Sequence, residues 1–194
     1  MVDGLVGTLV RSTLVVLVLA AAAVVDPSTW RVGQGDVRVI CPMTIGGSFE
    51  AKTSALLGSM ITRANGSPTL DGSLAVDLRT LDTGIGLRNE HLRKKYLEVN
   101  KGTGFETATL SAIELMGLSP VAPEGKGSFS GLLTLHGVAK TVTGAVDVRR
   151  AASGLRVEAS FRLDLSDYGI AKPRYLGIGV TNTVQVEVAF DVSR

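Results

Sequence analysis

The chain has 194 residues, 45% of them hydrophobic, enough for one domain with a substantial core. Its 20 Lys and Arg stand against 18 Asp and Glu, a near-balance that gives no reason to expect nucleic acid as a partner. A single cysteine, Cys41, excludes an intramolecular disulfide framework.

The first element is an unbroken apolar run at residues 14–25, preceded by Arg11 and containing alanines at 20–23. Its length matches the apolar region of a signal peptide and falls short of the ~20 residues that span a bilayer. Residues 1–26 are therefore expected to be a signal peptide or an uncleaved apolar anchor. Residues 27–194 are then an extracytoplasmic domain, periplasmic or secreted.

Residues 37–45, 47–54 and 58–62 read as strands with imperfect alternation. Asn65-Gly66-Ser67-Pro68 supplies a turn. The stretch GSLAVDLRT, residues 72–80, then sets Leu74, Val76 and Leu78 on one face and Asp77 and Arg79 on the other.

LRNEHLRKKYLEV, residues 87–99, breaks that period. Leu87, His91 or Leu92, Tyr96 and Val99 recur at helical spacing, with Asp82 or Thr83 as a cap. Leu92, Tyr96 and Val99 are expected to pack on the strands, leaving Glu90, Arg93 and Lys94 in water. Two roles stay open for Arg88 and His91. They bond loop carbonyls or Asp82, or they meet the polar end of a ligand.

Strands resume at 105–115, 128–136 and 141–149. LRVEASFRLDL places Leu155, Val157, Ala159, Phe161, Leu163 and Leu165 on one face, and TVQVEVAFDV does the same with Val184, Val186, Val188, Phe190 and Val192. A long connection, residues 167–179, separates them. Short turns imply antiparallel hairpins, and no βαβ rhythm appears.

The fold class is thus all-β, a barrel or a sandwich. Long hairpins favour an antiparallel eight-stranded, lipocalin-like barrel with one short helix between strands. An outer-membrane barrel would need aromatic girdles, and the nine aromatics here are scattered.

An apolar face turned inward makes Leu74, Val76, Leu78, Phe105, Leu133, Leu135, Val146, Phe161, Leu163, Val186 and Phe190 the candidate cavity lining. Gly131, Gly144 and Ala159 would leave room beside them. Lys140, near the turn at His136, and Tyr168, in the long connection, join Arg88 and His91 as candidate polar contacts at the mouth. No zinc spacing, G-x-S-x-G elbow or H-E-x-x-H motif is present, so neither metal nor cofactor is expected.

Leu81-Asp82-Thr83-Gly84, Arg88-Asn89-Glu90-His91-Leu92-Arg93 and Phe105-Glu106-Thr107-Ala108 together resemble the YceI-like family. Gly131 to Lys140, Asp167-Tyr168-Gly169-Ile170 and the closing strand at 184–192 continue the resemblance in order. It implies an extended lipocalin-like barrel, usually exported, with a long apolar cavity for polyisoprenoid chains or quinone tails. The chain departs from the pattern at Cys41-Pro42-Met43-Thr44, at Gly104 and at Thr141, which bears on the cavity mouth.

The expected function is an exported, non-enzymatic carrier or scavenger holding an isoprenoid-like chain. Two alternatives are an envelope protein-interaction module with a filled barrel and an enzyme on a lipid-like substrate using His91. Expected partners are the lipid and, transiently, a membrane; a homodimer is compatible with the barrel rim, although no residue argues for one.

Overall fold

A computed structural model of the chain describes residues 28–63, 67–119, 122–175 and 178–194. The expected signal or anchor segment, 1–26, lies outside them, as does the start of the Asn65-Gly66 turn. The strands are β1 (Thr29–Pro42), β2 (Ser48–Thr53), β3 (Leu56–Thr62), β4 (Thr69–Asp77), β5 (Thr107–Met116), β6 (Gly125–Leu135), β7 (Val138–Ala151) and β8 (Gly154–Asp164). Two short strands, β9 (Arg174–Tyr175) and β10 (Ile178–Gly179), precede β11 (Thr183–Ser193).

β1 is the pivot. Its first residues, Thr29 to Arg31, pair with β3, while Val37 to Pro42 pair with β2. β2 and β3 are thereby one strand kinked at Ser54-Ala55. The main sheet runs β11-β8-β7-β6-β5-β4-β3-β1-β2, and β1 also pairs with β11. This closes an antiparallel barrel of eight strands and leaves no free edge around most of its circumference.

Alternation along the sequence becomes pairing in the barrel. Val184, Val186, Val188, Phe190 and Val192 of β11 face Leu163, Phe161, Ala159, Val157 and Leu155 of β8. The intervening pairs, such as Gln185 with Arg162 and Asp191 with Arg156, point outward. Cross-strand apolar pairs of this kind stabilise a sheet wherever one face is buried.

The expected room beside Gly131 and Gly144 is not there. A Cβ on Gly144 would lie 2.7 Å from Phe129 Cε1 and 2.8 Å from Phe161 Cβ, and one on Gly131 2.8 Å from Leu110 Cδ1. The glycines receive neighbouring side chains instead of opening a cavity. Phe129 and Phe161 meet edge to face across Gly144, ring centroids 5.9 Å apart.

β4 ends three residues before the expected strand does. The Asp77 carboxylate accepts from the Arg79 amide at 2.9 Å and also binds its guanidinium, turning Leu78–Thr80 into a 3₁₀ turn. The next connection carries helix α1 (Gly86–His91), which runs on through a π-helical turn at Leu92–Tyr96. Among the described residues no helix is long and apolar enough to cross a membrane.

Candidate functional site

One end of the barrel gathers the C-terminal end of β1, the start of β2, the β6–β7 turn, the helical connection and the loop before β11. Beneath them lies an apolar cavity of about 170 Å³. Leu92, Tyr96 and Leu97 of the helical connection cover it, with Ile170, Pro173 and Val180 of the later loop. Barrel strands supply Val76, Leu133, Leu135, Phe161, Leu163 and Val186. Cys41, Phe49, Ala108 and Leu110 also line it and are not among the expected lining residues. Cys41 and Phe49 sit where alternation is broken by Pro42 and the hairpin.

A second apolar cavity of about 90 Å³ occupies the opposite half, lined in part by Val146, Phe190, Phe129 and Trp30. Leu74 and Leu110 line both cavities. With the Phe129–Phe161 pair they form the layer that divides the interior.

Two expected lining residues do not reach either cavity. Leu78 is buried, but on the 3₁₀ turn beyond β4, because Asp77 ends the strand. Phe105 precedes β5 and packs edge to face with the His136 ring, 4.7 Å between centroids.

The polar candidates scatter. Arg88 is at the rim, its guanidinium carbon 4.4 Å from the centre of the Phe49 ring. Among the described residues it bonds neither Asp82 nor a loop carbonyl. His91 is exposed on the outer side of α1, and among the described residues it makes no hydrogen bond. Lys140 lies outside the barrel, ion-paired with Asp167 at 3.0 Å. Tyr168 is 1% exposed, so its ring belongs to the core and is not offered to a ligand headgroup. Its hydroxyl is buried without a partner among the described residues, and burial pushes its ionisation up.

The expected cap is also different. Ile85, not Asp82 or Thr83, precedes α1, and no side chain caps it. Asp82 accepts from Asn89 Nδ2 at 2.6 Å, while the Thr83 amide donates to Asn89 Oδ1 at 2.7 Å. Arg93, expected in water, turns back and donates to the Leu81 carbonyl at 2.6 Å. Leu92, Tyr96 and Val99 pack on the barrel core as their spacing requires. The three hydrogen bonds moor the helical connection to the 81–83 segment.

The mooring continues through His136. Its Nδ1 is 2.9 Å from the Tyr168 carbonyl oxygen, and its Nε2 is 3.0 Å from Glu98 Oε2. Lys101 and His136 hold the Glu98 carboxyl below the usual carboxylate range, the hydrogen bond from Lys101 contributing most. Burial among apolar groups pushes the Cys41 thiol up to about 11, partly offset by Arg88.

Chemically, the upper cavity is uniform. Among the described residues its only polar-capable side chains are the Cys41 thiol and the Tyr96 phenol, and no carboxylate, imidazole or ammonium lines it. Among the described residues no cluster of His, Cys, Asp or Glu could hold a metal ion.

The comparisons with known proteins agree with this architecture. The sequence profile of the YceI-like domain matches residues 24–192. In structure the chain is similar to BcnA of Burkholderia cenocepacia, at 15% identity and a TM-score of 0.67, over 82% of this chain and 96% of that one. It is also similar to a polyisoprenoid-binding domain from Saccharophagus degradans implicated in plant cell wall breakdown, at 17% identity and a TM-score of 0.59, over 84% and 97%. A YceI protein of Campylobacter jejuni aligns at 14% identity and a TM-score of 0.51, over 72% and 81%. A comparison with curated protein sequences gives no match. With the profile spanning the barrel from before β1 into β11, the chain belongs to the YceI-like domain family.

Proposed function

We propose that this protein binds an isoprenoid-like lipid chain in the upper cavity and acts as an exported, non-enzymatic carrier or scavenger. The observation that carries this reading is the cavity itself: apolar on every side, roofed by a moored helical connection, and free of charged groups. An apolar cavity of this kind stays dry, so a hydrocarbon entering it displaces no bound water. Each methylene removed from water contributes about 0.8 kcal/mol before ordering costs. The likeness to a polyisoprenoid-binding domain supports the ligand class, and the apolar run at 14–25 supports export.

Size refines the proposal. An apolar cavity of about 150 Å³ takes a benzene-sized group. The upper cavity in this conformation therefore takes roughly one or two isoprene units. A longer chain has to part the Phe129–Phe161 layer or lift the helical roof.

An acid–base role for His91 finds no support in the geometry, since the residue is exposed on α1 and does not line the cavity. The small volume of the cavity does favour a second reading, a barrel filled by its own side chains that serves as an envelope interaction module.

Lipid mass spectrometry of the purified protein, followed by titration with farnesol and a short-tailed quinone, separates the two. A stoichiometric isoprenoid, or saturable uptake with a raised Tm, supports the carrier. A folded protein that carries no lipid and takes up neither probe overturns it in favour of the filled barrel.

A further inference from the structure

Four large aliphatic side chains stand out of the roofed end of the barrel. Ile45 and Leu87 are each 65% exposed, Ile85 49% and Ile178 43%. Singly such residues are ordinary, but these four lie on three segments that touch. The Thr44 amide donates to the Gly179 carbonyl at 2.7 Å, and the Gly179 amide to Thr44 Oγ1 at 3.0 Å, setting Ile45 beside Ile178. Arg88, next to Leu87, lies on Phe49 at the foot of the same hairpin.

Charge on these segments is one-sided. Residues 43–47, 85–96 and 171–180 contain Arg88, Arg93, Lys94, Lys95, Lys172 and Arg174 against one carboxylate, Glu90. Glu90 is already paired with Lys94 at 2.8 Å. Among the described residues, Arg88, Lys95, Lys172 and Arg174 have no carboxylate partner; on the barrel wall Arg38, Arg63 and Arg149 have one, and Arg31 and Arg162 do not. Exposed aliphatic tips among unpaired cations are the chemistry of a bilayer interface. The tips enter the acyl boundary and the cations meet lipid phosphates.

We infer that this end of the barrel docks on an anionic phospholipid bilayer, with Ile45, Ile85, Leu87 and Ile178 inserted and Arg88, Lys95, Lys172 and Arg174 against the phosphates. The inference goes beyond ligand binding, and its geometry does not depend on it. Docked this way, the cavity roof lies against the membrane, so a lipid chain can pass between bilayer and barrel without crossing water. β1 begins at Thr29, at the other end of the barrel, with Trp30 next to it. Docking therefore points the N-terminal side of the domain away from the bilayer.

Trp30 makes the orientation measurable in the full chain, because it is the only tryptophan. The W30F/L87W variant moves the reporter to the docking end. With phosphatidylglycerol–phosphatidylcholine vesicles carrying brominated acyl chains, L87W emission is expected to shift blue and be quenched. Adding K172E/R174E is expected to weaken vesicle partitioning by at least about tenfold, and high salt to do the same. Circular dichroism confirms that the variants fold.

An L87W signal unchanged by vesicles overturns docking, and so does quenching that K172E/R174E and salt leave intact. Quenching of Trp30 with none at L87W overturns it as well, since the chain then attaches by its N-terminal end alone. Farnesol uptake from solution, measured on the same variants, keeps the two proposals apart. Uptake without quenching removes only docking, and quenching without uptake removes only the cavity reading.

Discussion

The Arg88 guanidinium covers one face of Phe49, a residue that also lines the upper cavity. The contact ties α1 to the β1–β2 hairpin at the rim. An exposed cation–π contact is worth about 0.5–1 kcal/mol. Arg88→Ala is expected to speed release of a bound isoprenoid roughly two- to fivefold, with little change in Tm. Stopped-flow release measures it, and identical rates in wild type and variant would detach Arg88 from the mouth.

Cys41 reports on the same cavity. Alkylation requires the thiolate, and burial holds the thiol near 11. At pH 8 only about one molecule in a thousand is then reactive, against roughly a quarter for an ordinary thiol. Iodoacetamide labelling followed by mass spectrometry should be slow at pH 8, rise about tenfold per pH unit and slow further when ligand is present. Rapid labelling at neutral pH would place Cys41 in water.

Gly144 is the clearest packing constraint. An added methyl meets Ser160 O at 2.3 Å as well as the two phenylalanines. Gly144→Ala is expected to cost about 1–3 kcal/mol through overpacking, lowering Tm by several degrees. A thermal melt within a degree of wild type would mean that the Phe129–Phe161 layer yields easily.

That layer should also set chain length. Phe161→Ala merges the two cavities at a cost of about 3–5 kcal/mol in stability. Where the variant still folds, it is expected to prefer longer isoprenoids than wild type. A competition series from geranyl to geranylgeranyl alcohol tests this, and an unchanged preference would leave the roof as the limiting element.

Glu98 couples the roof to pH. Its carboxyl is held below the usual range in the folded state, so its contribution is complete above about pH 4.3 and is lost as pH falls through the depressed value. Amide exchange in residues 92–101 should therefore accelerate on acidification in wild type. In Glu98→Gln it should already be faster at neutral pH and change less. Parallel pH profiles would show that the contacts of Glu98 with Lys101 and His136 do not hold this segment.

Legibility in the sequence tracked regularity. β8 and β11 were plain because unbroken alternation allows only one register with the apolar face inward. The first half of β1 was not, since Gly33 and Gly35 interrupt the period and its register with β11 shifts between Val32 and Gly35. Arg93 and Tyr168 depart from their expected places for a related reason. Residue type predicts average exposure, while the carbonyl of Leu81 and the packing of the 165–170 turn decide these two cases.

The sequence by itself determined long antiparallel strands with one apolar face and a helical insertion, because two-residue and helical periods are local properties of the chain. Only the tertiary structure decided that glycines would be filled by Leu110, Phe129 and Phe161. It also divided the interior and left Arg88 alone of the four polar candidates at the rim. Those outcomes depend on contacts between residues far apart in the chain, which no local period encodes.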